Sequence, residues 1–216
     1  MLRLLFLLTG SALVSLVLVS CGKDPAAQYR LSAEQLAWQG YELGQVLRFG
    51  HAKDGRVRTY RVTEIRDVME KQYGGINWTP FPSKEPPLCQ HVTVLAQRTD
   101  SLFQPRPVLD LELYAQGGDP VQLRAEAEWE TFYYARLPLN EVIKGLPIDT
   151  LEYQYPGTAL LPMVRLGPAN YTQVVRVNNR RGMVSLPKQT RRLYYARGKG
   201  VVAFEEAGND LWYRLP

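Results

Sequence analysis

The sequence predicts an all-β fold with one or two short helices, in which one antiparallel sheet curves strongly or forms an incomplete barrel. Many short runs alternate between apolar and polar residues, which is the periodicity of half-buried strands. Glycine-containing and proline-containing turn dipeptides separate these runs, and only two short stretches carry helix signals. About nine or ten strands are expected, and an open sheet of that size curls or closes on itself.

The first residues have the pattern of an export signal. Arg3 supplies one positive charge, and the following run from 4 to 19 is almost entirely apolar. A membrane-spanning helix needs about 20 apolar residues and is usually followed by basic residues, whereas this run is shorter and stops at Ser20. Residues 1–20 are therefore predicted to be a cleaved signal peptide.

The residues at the end of this run, Leu18-Val19-Ser20-Cys21, resemble the lipobox of bacterial lipoproteins. The resemblance implies that the Cys21 thiol is acylated, becomes the first residue of the mature protein and binds the chain to membrane lipid. A thiolate is a good nucleophile for such an acylation. Residues 21–30 would then be a lipidated tether, and residues 31–216 a single β-rich domain. An ordinary signal peptide with a chance cysteine, or a retained anchor helix, are the alternatives, and both still place the domain outside the cytoplasm.

The residues after Cys21 bear on which membrane holds the anchor. Gly22 stands where enteric lipoproteins retained in the inner membrane have an aspartate, so the outer membrane of the cell envelope is predicted. Lys23-Asp24 partly resembles the tag that exports lipoproteins to the surface in Bacteroidetes. The sequence leaves open whether the domain faces the periplasm or the cell surface.

The first elements of the domain are a short helix and a hairpin. Ser32 and Gln35 have the spacing of a capping box, which predicts a helix through about Gln39 that stops at Gly40. Asp54-Gly55 suits a tight turn, so residues 44–52 and 56–65 are predicted to pair as a hairpin.

A second, longer hairpin is predicted from residues 108–115 and 121–131, joined by Gly117-Gly118-Asp119. Apolar and polar residues alternate in both runs, which indicates one buried and one solvated face. A second short helix is expected near 141–144, behind Asn140. The remaining predicted strands are 90–98, 163–166, 171–177, 191–195, 200–206 and 211–215.

The residues that could carry catalysis are few. Cys89 and His91 lie two apart and share one face of a predicted strand, which permits a Cys–His pair, although a buried core cysteine is the simpler interpretation. The chain has only one other histidine, His51, and no metal-ligand spacing, nucleophile elbow or phosphate loop is recognisable. No metal or other cofactor is therefore expected. Glu126, Glu128 and Glu130 are interpreted as the solvated face of one strand rather than as a cation site.

Two surface features suggest binding. The irregular segment from Gln72 to Pro87 contains Tyr73, Trp78 and Phe81 among prolines, so these aromatics are weak candidates for a ligand lid or partner surface. The simpler interpretation is that they fold back over an open edge of the core. Eight basic residues crowd the C-terminal third and are interpreted as a solvated edge, with acidic lipids or polysaccharides as the alternative: Arg176, Arg180, Arg181, Lys188, Arg191, Arg192, Arg197 and Lys199. The net charge of +5 is too small to indicate nucleic acid.

Two stretches resemble uncharacterised envelope lipoproteins of Bacteroidetes. Residues 41–49, YELGQVLRF, look like their opening strand, and residues 171–177, 193–202 and 212–215 look like their closing hairpins. These residues are aromatic, apolar or turn-forming, so the resemblance implies a fold and transfers no catalytic residue. The leading hypothesis is a noncatalytic, membrane-anchored envelope lipoprotein that binds an apolar ligand or a partner protein. An envelope hydrolase with a site near Cys89 and His91, and a structural component of an outer-membrane assembly, are the alternatives.

Overall fold

A strongly curled antiparallel sheet forms the body of the protein and has the shape of a half-barrel. The computed structural model describes residues 26–72, 85–100, 107–117, 120–130, 133–147, 157–179 and 189–216. The elements are β1 (Gln28–Tyr29), α1 (Ala33–Leu36), β2 (Val46–His51), β3 (Val57–Lys71), β4 (Leu88–Arg98), β5 (Pro107–Gln116), β6 (Gln122–Trp129), β7 (Tyr133–Leu137), α2 (Leu139–Ile143), β8 (Ala159–Leu166), β9 (Ala169–Asn178), β10 (Thr190–Ala196), β11 (Gly200–Glu206) and β12 (Asp210–Arg214). The predicted fold class is confirmed.

The strand order is β7-β6-β5-β4-β3-β2-β12-β11-β10-β9-β8, and β1 adds to β4 in parallel. Consecutive strands are neighbours within β2 to β7 and within β8 to β12, and the pairing of β12 with β2 joins these two halves of the sheet. The described residues form twelve strands rather than nine or ten. The two additional strands are β1, which is only two residues long, and β7, which continues the alternation of β6 after the turn at Glu130.

The first predicted hairpin is confirmed, with its turn at Asp54-Gly55. Gly55 has a φ of +69°, and its amide donates to the carbonyl of His51. β3 continues to Lys71, well beyond its pairing with β2, because β4 pairs with it along that length. The hairpin of β5 and β6 is also confirmed, and its alternation places Leu111, Leu113 and Ala127 in the core.

One end of the half-barrel is closed by α1, α2 and the chain between α1 and β2. Both hydrogen bonds of the predicted capping box form at Ser32, although the helix ends at Leu36, earlier than predicted. The second helix is also present, with Pro138 rather than Asn140 at its N-cap. The ring of Trp38 stacks on Tyr195, whose hydroxyl donates to the Trp38 carbonyl at 2.5 Å. These contacts hold the closing segment against β10.

Gly40 makes the closest approach of this segment to the sheet. A Cβ at Gly40 would lie 2.8 Å from the backbone nitrogens of Lys199 and Gly200, and its φ is +60°. Gly40→Ala is therefore expected to destabilise the protein by about 1–3 kcal/mol more than Gly55→Ala, since only the former adds a backbone clash to the strain of a left-handed residue. Urea unfolding of the two variants measures the difference, and equal losses would contradict the close contact.

The inner face of the sheet is filled by large aromatic side chains. Phe49 lies edge-to-face with Tyr60, Trp129 and Phe204, with ring centroids 5.4–5.6 Å apart. Phe204 also stacks on Trp212 at 5.8 Å. All five side chains are almost fully buried, so the described part of the concave face is a packed core.

A second, smaller core lies around β8 and β9. Gln173 has a φ of +51°, and the neighbours Val174 and Val175 are both buried because they point to opposite faces of β9 and each face is covered. Val174 joins a cluster with Leu166 and Tyr194 that is separate from the main core. The turn after β8 reaches β12, where a Cβ at Gly167 would overlap the ring of Tyr213.

Within the described residues, no helix is long and apolar enough to cross a membrane.

Candidate functional site

A group of charged and aromatic side chains is buried at the end of the half-barrel opposite α1 and α2. We call it the Arg58 cluster: Arg58, Tyr60, Glu130, Glu206 and Trp212. Arg58 and Tyr60 stand at the beginning of β3, Glu206 ends β11, and Trp212 lies in β12. Because alternate residues of a strand share a face, Arg58 faces inward together with Tyr60.

Arg58 is the centre of this cluster. Its Nη2 lies 2.7 Å from Oε1 of Glu206 and its Nη1 lies 3.4 Å from Oε1 of Glu130. The guanidinium also sits 4.1 Å from the centroid of the Trp212 ring, a cation–π contact. Arg58 is 8% exposed and Glu206 is 5% exposed, so both charges depend on each other for neutralisation.

Glu130 enters the cluster because the backbone turns at that residue. Its φ is +50°, which ends the alternation of β6, and its carboxylate accepts a 2.9 Å hydrogen bond from the Tyr60 hydroxyl. Burial, followed by the negative charge of Glu130, raises the pKa of Tyr60 well above its usual value, so the hydroxyl stays protonated as a donor. The prediction that Glu130 shares a solvated face with Glu126 and Glu128 is therefore wrong for Glu130.

His51 borders the cluster and is itself buried. Its ring lies 4.7 Å from that of Trp212, and its Nδ1 is 2.6 Å from Oδ1 of Asp54. Its Nε2 lies 4.0 Å from Oδ1 of Asp210, a carboxylate that also pairs with Lys53. The turn between β2 and β3 is thereby joined to the turn between β11 and β12.

This arrangement lowers the pKa of Asp54 below its usual value. Desolvation raises the pKa, but it is outweighed by hydrogen bonds from the backbone amide of Arg56, from His51 and from the Arg56 guanidinium, so the pKa falls to about 2. Because the folded-state pKa lies below the unfolded value of about 3.9, ionised Asp54 stabilises the fold above pH 4 and loses this contribution as the pH falls toward 2.

Asp54→Asn is accordingly expected to lower the urea midpoint at pH 7 and to have little effect near pH 2. Urea unfolding at several pH values measures this. Glu64→Gln is the matched control, since Glu64 is a half-exposed carboxylate with only a loose pair to Arg66 at 3.7 Å. If the urea midpoint of Asp54→Asn were lowered by the same amount at every pH, the role of the Asp54 charge would be contradicted.

Cys89 and His91 have separate partners. The Cys89 thiol donates to Oε1 of Gln72 at 3.0 Å, whereas Nδ1 of His91 lies 3.2 Å from Oε2 of Glu70. Burial raises the pKa of the Cys89 thiol, which disfavours the nucleophilic thiolate. The interpretation of Cys89 as a buried, unpaired core cysteine is confirmed.

The outer face of β5 and β6 carries four carboxylates, which we call the acidic face: Asp110, Glu112, Glu126 and Glu128. The register places Asp110 directly opposite Glu128 and Glu112 directly opposite Glu126. Like charges in directly opposite positions of two strands repel. Glu126 is balanced in part by Arg124, at 2.7 Å.

The neighbouring carboxylates destabilise the ionised form of Asp110. Partial burial, followed by the charges of Glu112 and Glu128, raises its pKa above the usual value. Its Oδ1 is buried without a hydrogen-bond partner among the residues that the structure describes. The fold therefore tolerates an unfavourable charge at this position.

The other predicted site residues are distributed as follows. Cys21, Tyr73, Trp78 and Phe81 lie outside the described residues. Of the C-terminal basic residues, Arg192 pairs with Glu205 at 3.0 Å and Arg197 with Glu34 at 3.8 Å. In the described part of the chain, no group of three or more histidine, cysteine or acidic side chains is placed to hold a metal ion.

The Arg58 cluster was not predicted, although its signal was present. An arginine occupies the inward position two residues before Tyr60 in an alternating strand, and such a residue needs a buried acid.

Comparisons of the chain with protein-family models, curated proteins and solved structures gave no match. The resemblance to Bacteroidetes lipoproteins stays a prediction.

Proposed function

We propose that the chain is a noncatalytic lipoprotein of the cell envelope, anchored through acylated Cys21, whose half-barrel binds a partner protein. We favour a partner protein over an apolar ligand because the inner face of the half-barrel is filled by side chains. Phe49, Trp129 and Phe204 are 0% exposed, and they occupy the concave side where a barrel protein would hold a ligand.

The described side chains do not favour a hydrolase. The Cys89 thiol has a raised pKa, and His91 contacts Glu70 rather than the thiol. A nucleophile needs a base within hydrogen-bond reach or a lowered pKa, and neither applies to Cys89. Arg58 pairs with Glu206 and Glu130 in the Arg58 cluster, and Arg98 lies 3.7 Å from Glu130 as a second cation, which suits a structural role.

The acidic face is the surface that supports partner binding best. It concentrates four carboxylates at the centre of a rigid sheet, and Asp110 is held there at a cost in stability. A basic protein surface would neutralise this charge on docking, so the partner is expected to present lysines or arginines.

Asp110→Asn is expected to stabilise the isolated protein by about 0.2–1 kcal/mol at pH 7, since it removes one like-charge pair. Because the folded-state pKa of Asp110 is raised, its ionised form costs stability at neutral pH, and this cost disappears as the pH falls toward 4. The advantage of the variant should therefore shrink in acid, as measured by urea unfolding. Asp67→Asn is the control, because Asp67 accepts a hydrogen bond from Gln90 at 2.8 Å and should not gain stability. If Asp110→Asn were no more stable than the unmodified protein, repulsion at Asp110 would be contradicted.

The proposed function has two tests in the native envelope. Mass spectrometry of the N-terminal peptide should show acylated Cys21, and Cys21→Ala should move the protein out of the membrane fraction. A photo-crosslinking residue in place of Tyr114, beside the acidic face, should form an adduct with a partner protein. This adduct should be lost in the double variant Asp110→Asn, Glu112→Gln. An adduct that persists in this double variant, or an apolar molecule released from the purified protein, would overturn the proposed partner site.

A further inference from the structure

The N-terminal end of the domain is fixed to the sheet from Ala27 onward. The Ala27 carbonyl accepts from the Leu88 amide at 2.8 Å, and the Leu31 amide donates to Oε1 of Gln90 at 2.9 Å. Between them, the ring of Tyr29 lies so close to Gly117 that a Cβ there would be 2.9 Å from it. These contacts make β1 part of the rigid body.

The chain between the anchor and this attachment point is short. Six residue steps separate Cys21 from Ala27, and a fully extended chain of that length spans at most about 22 Å. β1 runs parallel to β4 and pairs with its first residues, Leu88 and Cys89. Residues that precede β1 therefore leave the sheet beyond the start of β4, in the direction away from the Arg58 cluster.

The opposite end of β4 lies farther away than the tether reaches. β4 has 11 residues, which corresponds to about 34 Å from Leu88 to Arg98. Arg98 pairs in register with Tyr60, and its Nη1 lies 3.7 Å from Glu130. The Arg58 cluster therefore stands about one strand length from the attachment point.

Charge disfavours the side-on orientation in which the outer face of β5 and β6 lies on the membrane. That face carries Asp110, Glu112, Glu126 and Glu128. Anionic headgroups repel carboxylates within about a Debye length, 8–10 Å at physiological salt. A negatively charged bilayer would keep this face exposed to solvent.

We infer that the start of β4, together with the adjoining end of β3 at Lys71, is the surface that rests next to the bilayer. The occupant of this surface is the membrane that holds the acyl chains of Cys21, so the inference depends on the proposed anchor. The Arg58 cluster then lies at the end of the domain that is farthest from the membrane. The acidic face lies along the side of the domain, exposed to solvent. A partner would approach from the side of the domain rather than through the lipid.

The test uses the full chain, produced with its leader, extracted from membranes and reconstituted in vesicles of phosphatidylethanolamine and phosphatidylglycerol. A fluorescent amino acid replaces one of three exposed residues: Lys71, which ends β3 and pairs with the first residue of β4, Thr99, which follows the end of β4, or Met163 on β8. Headgroup-attached nitroxide lipids quench each probe according to its distance from the bilayer. Quenching at Lys71 is expected to exceed quenching at Thr99 about twofold, because Thr99 lies about one strand length farther from the attachment point.

A lengthened tether is the matched control. Inserting a Gly/Ser segment of roughly 20 residues between Pro25 and Ala26 adds about 25 Å of flexible reach, and this variant should quench all three probes alike. Vesicle flotation and the mass of the N-terminal peptide report the anchor separately. A chain that floats and carries its acyl groups but is quenched equally at Lys71 and Thr99, or most strongly at Met163, overturns the orientation alone. A chain without acyl groups that does not float overturns the anchor and the orientation together.

Discussion

Arg58→Ala is expected to destabilise the protein by about 3–5 kcal/mol, because removing one partner of a buried ion pair leaves the other charge without compensation. Glu206 is 5% exposed and lies 2.7 Å from the guanidinium, so it would keep its charge in an apolar environment or take up a proton. The Trp212 ring would also lose its cation–π partner. Urea unfolding followed by tryptophan fluorescence measures the loss.

Two controls separate the buried charge from a general effect of removing arginine. Arg56→Ala removes a neighbouring arginine whose side chain is 59% exposed, and it should cost less than about 1 kcal/mol. Arg58→Met combined with Glu206→Gln removes both charges and keeps the volume, so it should recover most of the stability that Arg58→Ala loses. If the double variant were less stable than Arg58→Ala, the cluster would owe its stability to something other than paired charge.

The fold class could be predicted because its signals are local. The alternation of residues 108–115 and 121–129, and the Asp54-Gly55 turn, each fix a hairpin without reference to the rest of the chain. The pairing of β12 with β2 could not be predicted in the same way. It joins residues that are more than 150 positions apart, and it depends on the packing of Phe49 and Trp212 against a common core.

The Arg58 cluster is harder to predict for the same physical reason. Arg58 lies in β3, Glu130 in the turn after β6 and Glu206 at the end of β11, so the inward position of Arg58 does not reveal which acids pair with it. Glu130 was assigned to the wrong face because a single residue with φ of +50° ends the two-residue period. Such a residue redirects its own side chain, while the strands on either side keep the same buried face. Sequence periodicity cannot detect such a change unless the next strand is recognised, and β7 was missed.

Trp129→Ala is expected to cost about 3–5 kcal/mol, the usual loss when a large aromatic side chain is removed from a core. The Trp129 ring lies 4.9 Å from Tyr60, 5.2 Å from Phe204 and 5.6 Å from Phe49, between centroids. Its Nε1 is buried without a described hydrogen-bond partner. Trp129→Phe gives up volume but removes an unsatisfied donor, and it should cost less than half as much.

The Trp129→Ala variant also decides between the two binding hypotheses that the sequence left open. If the inner face is a packed core, truncation leaves a dry cavity, and added indole should bind there and raise the melting temperature of Trp129→Ala but not of the unmodified protein. Met163→Ala, at a side chain 71% exposed, should change stability by less than about 0.5 kcal/mol and should not respond to indole. Should the unmodified protein itself be stabilised by indole, its inner face would already hold space for a ligand. That result would favour the apolar-ligand hypothesis over the partner protein.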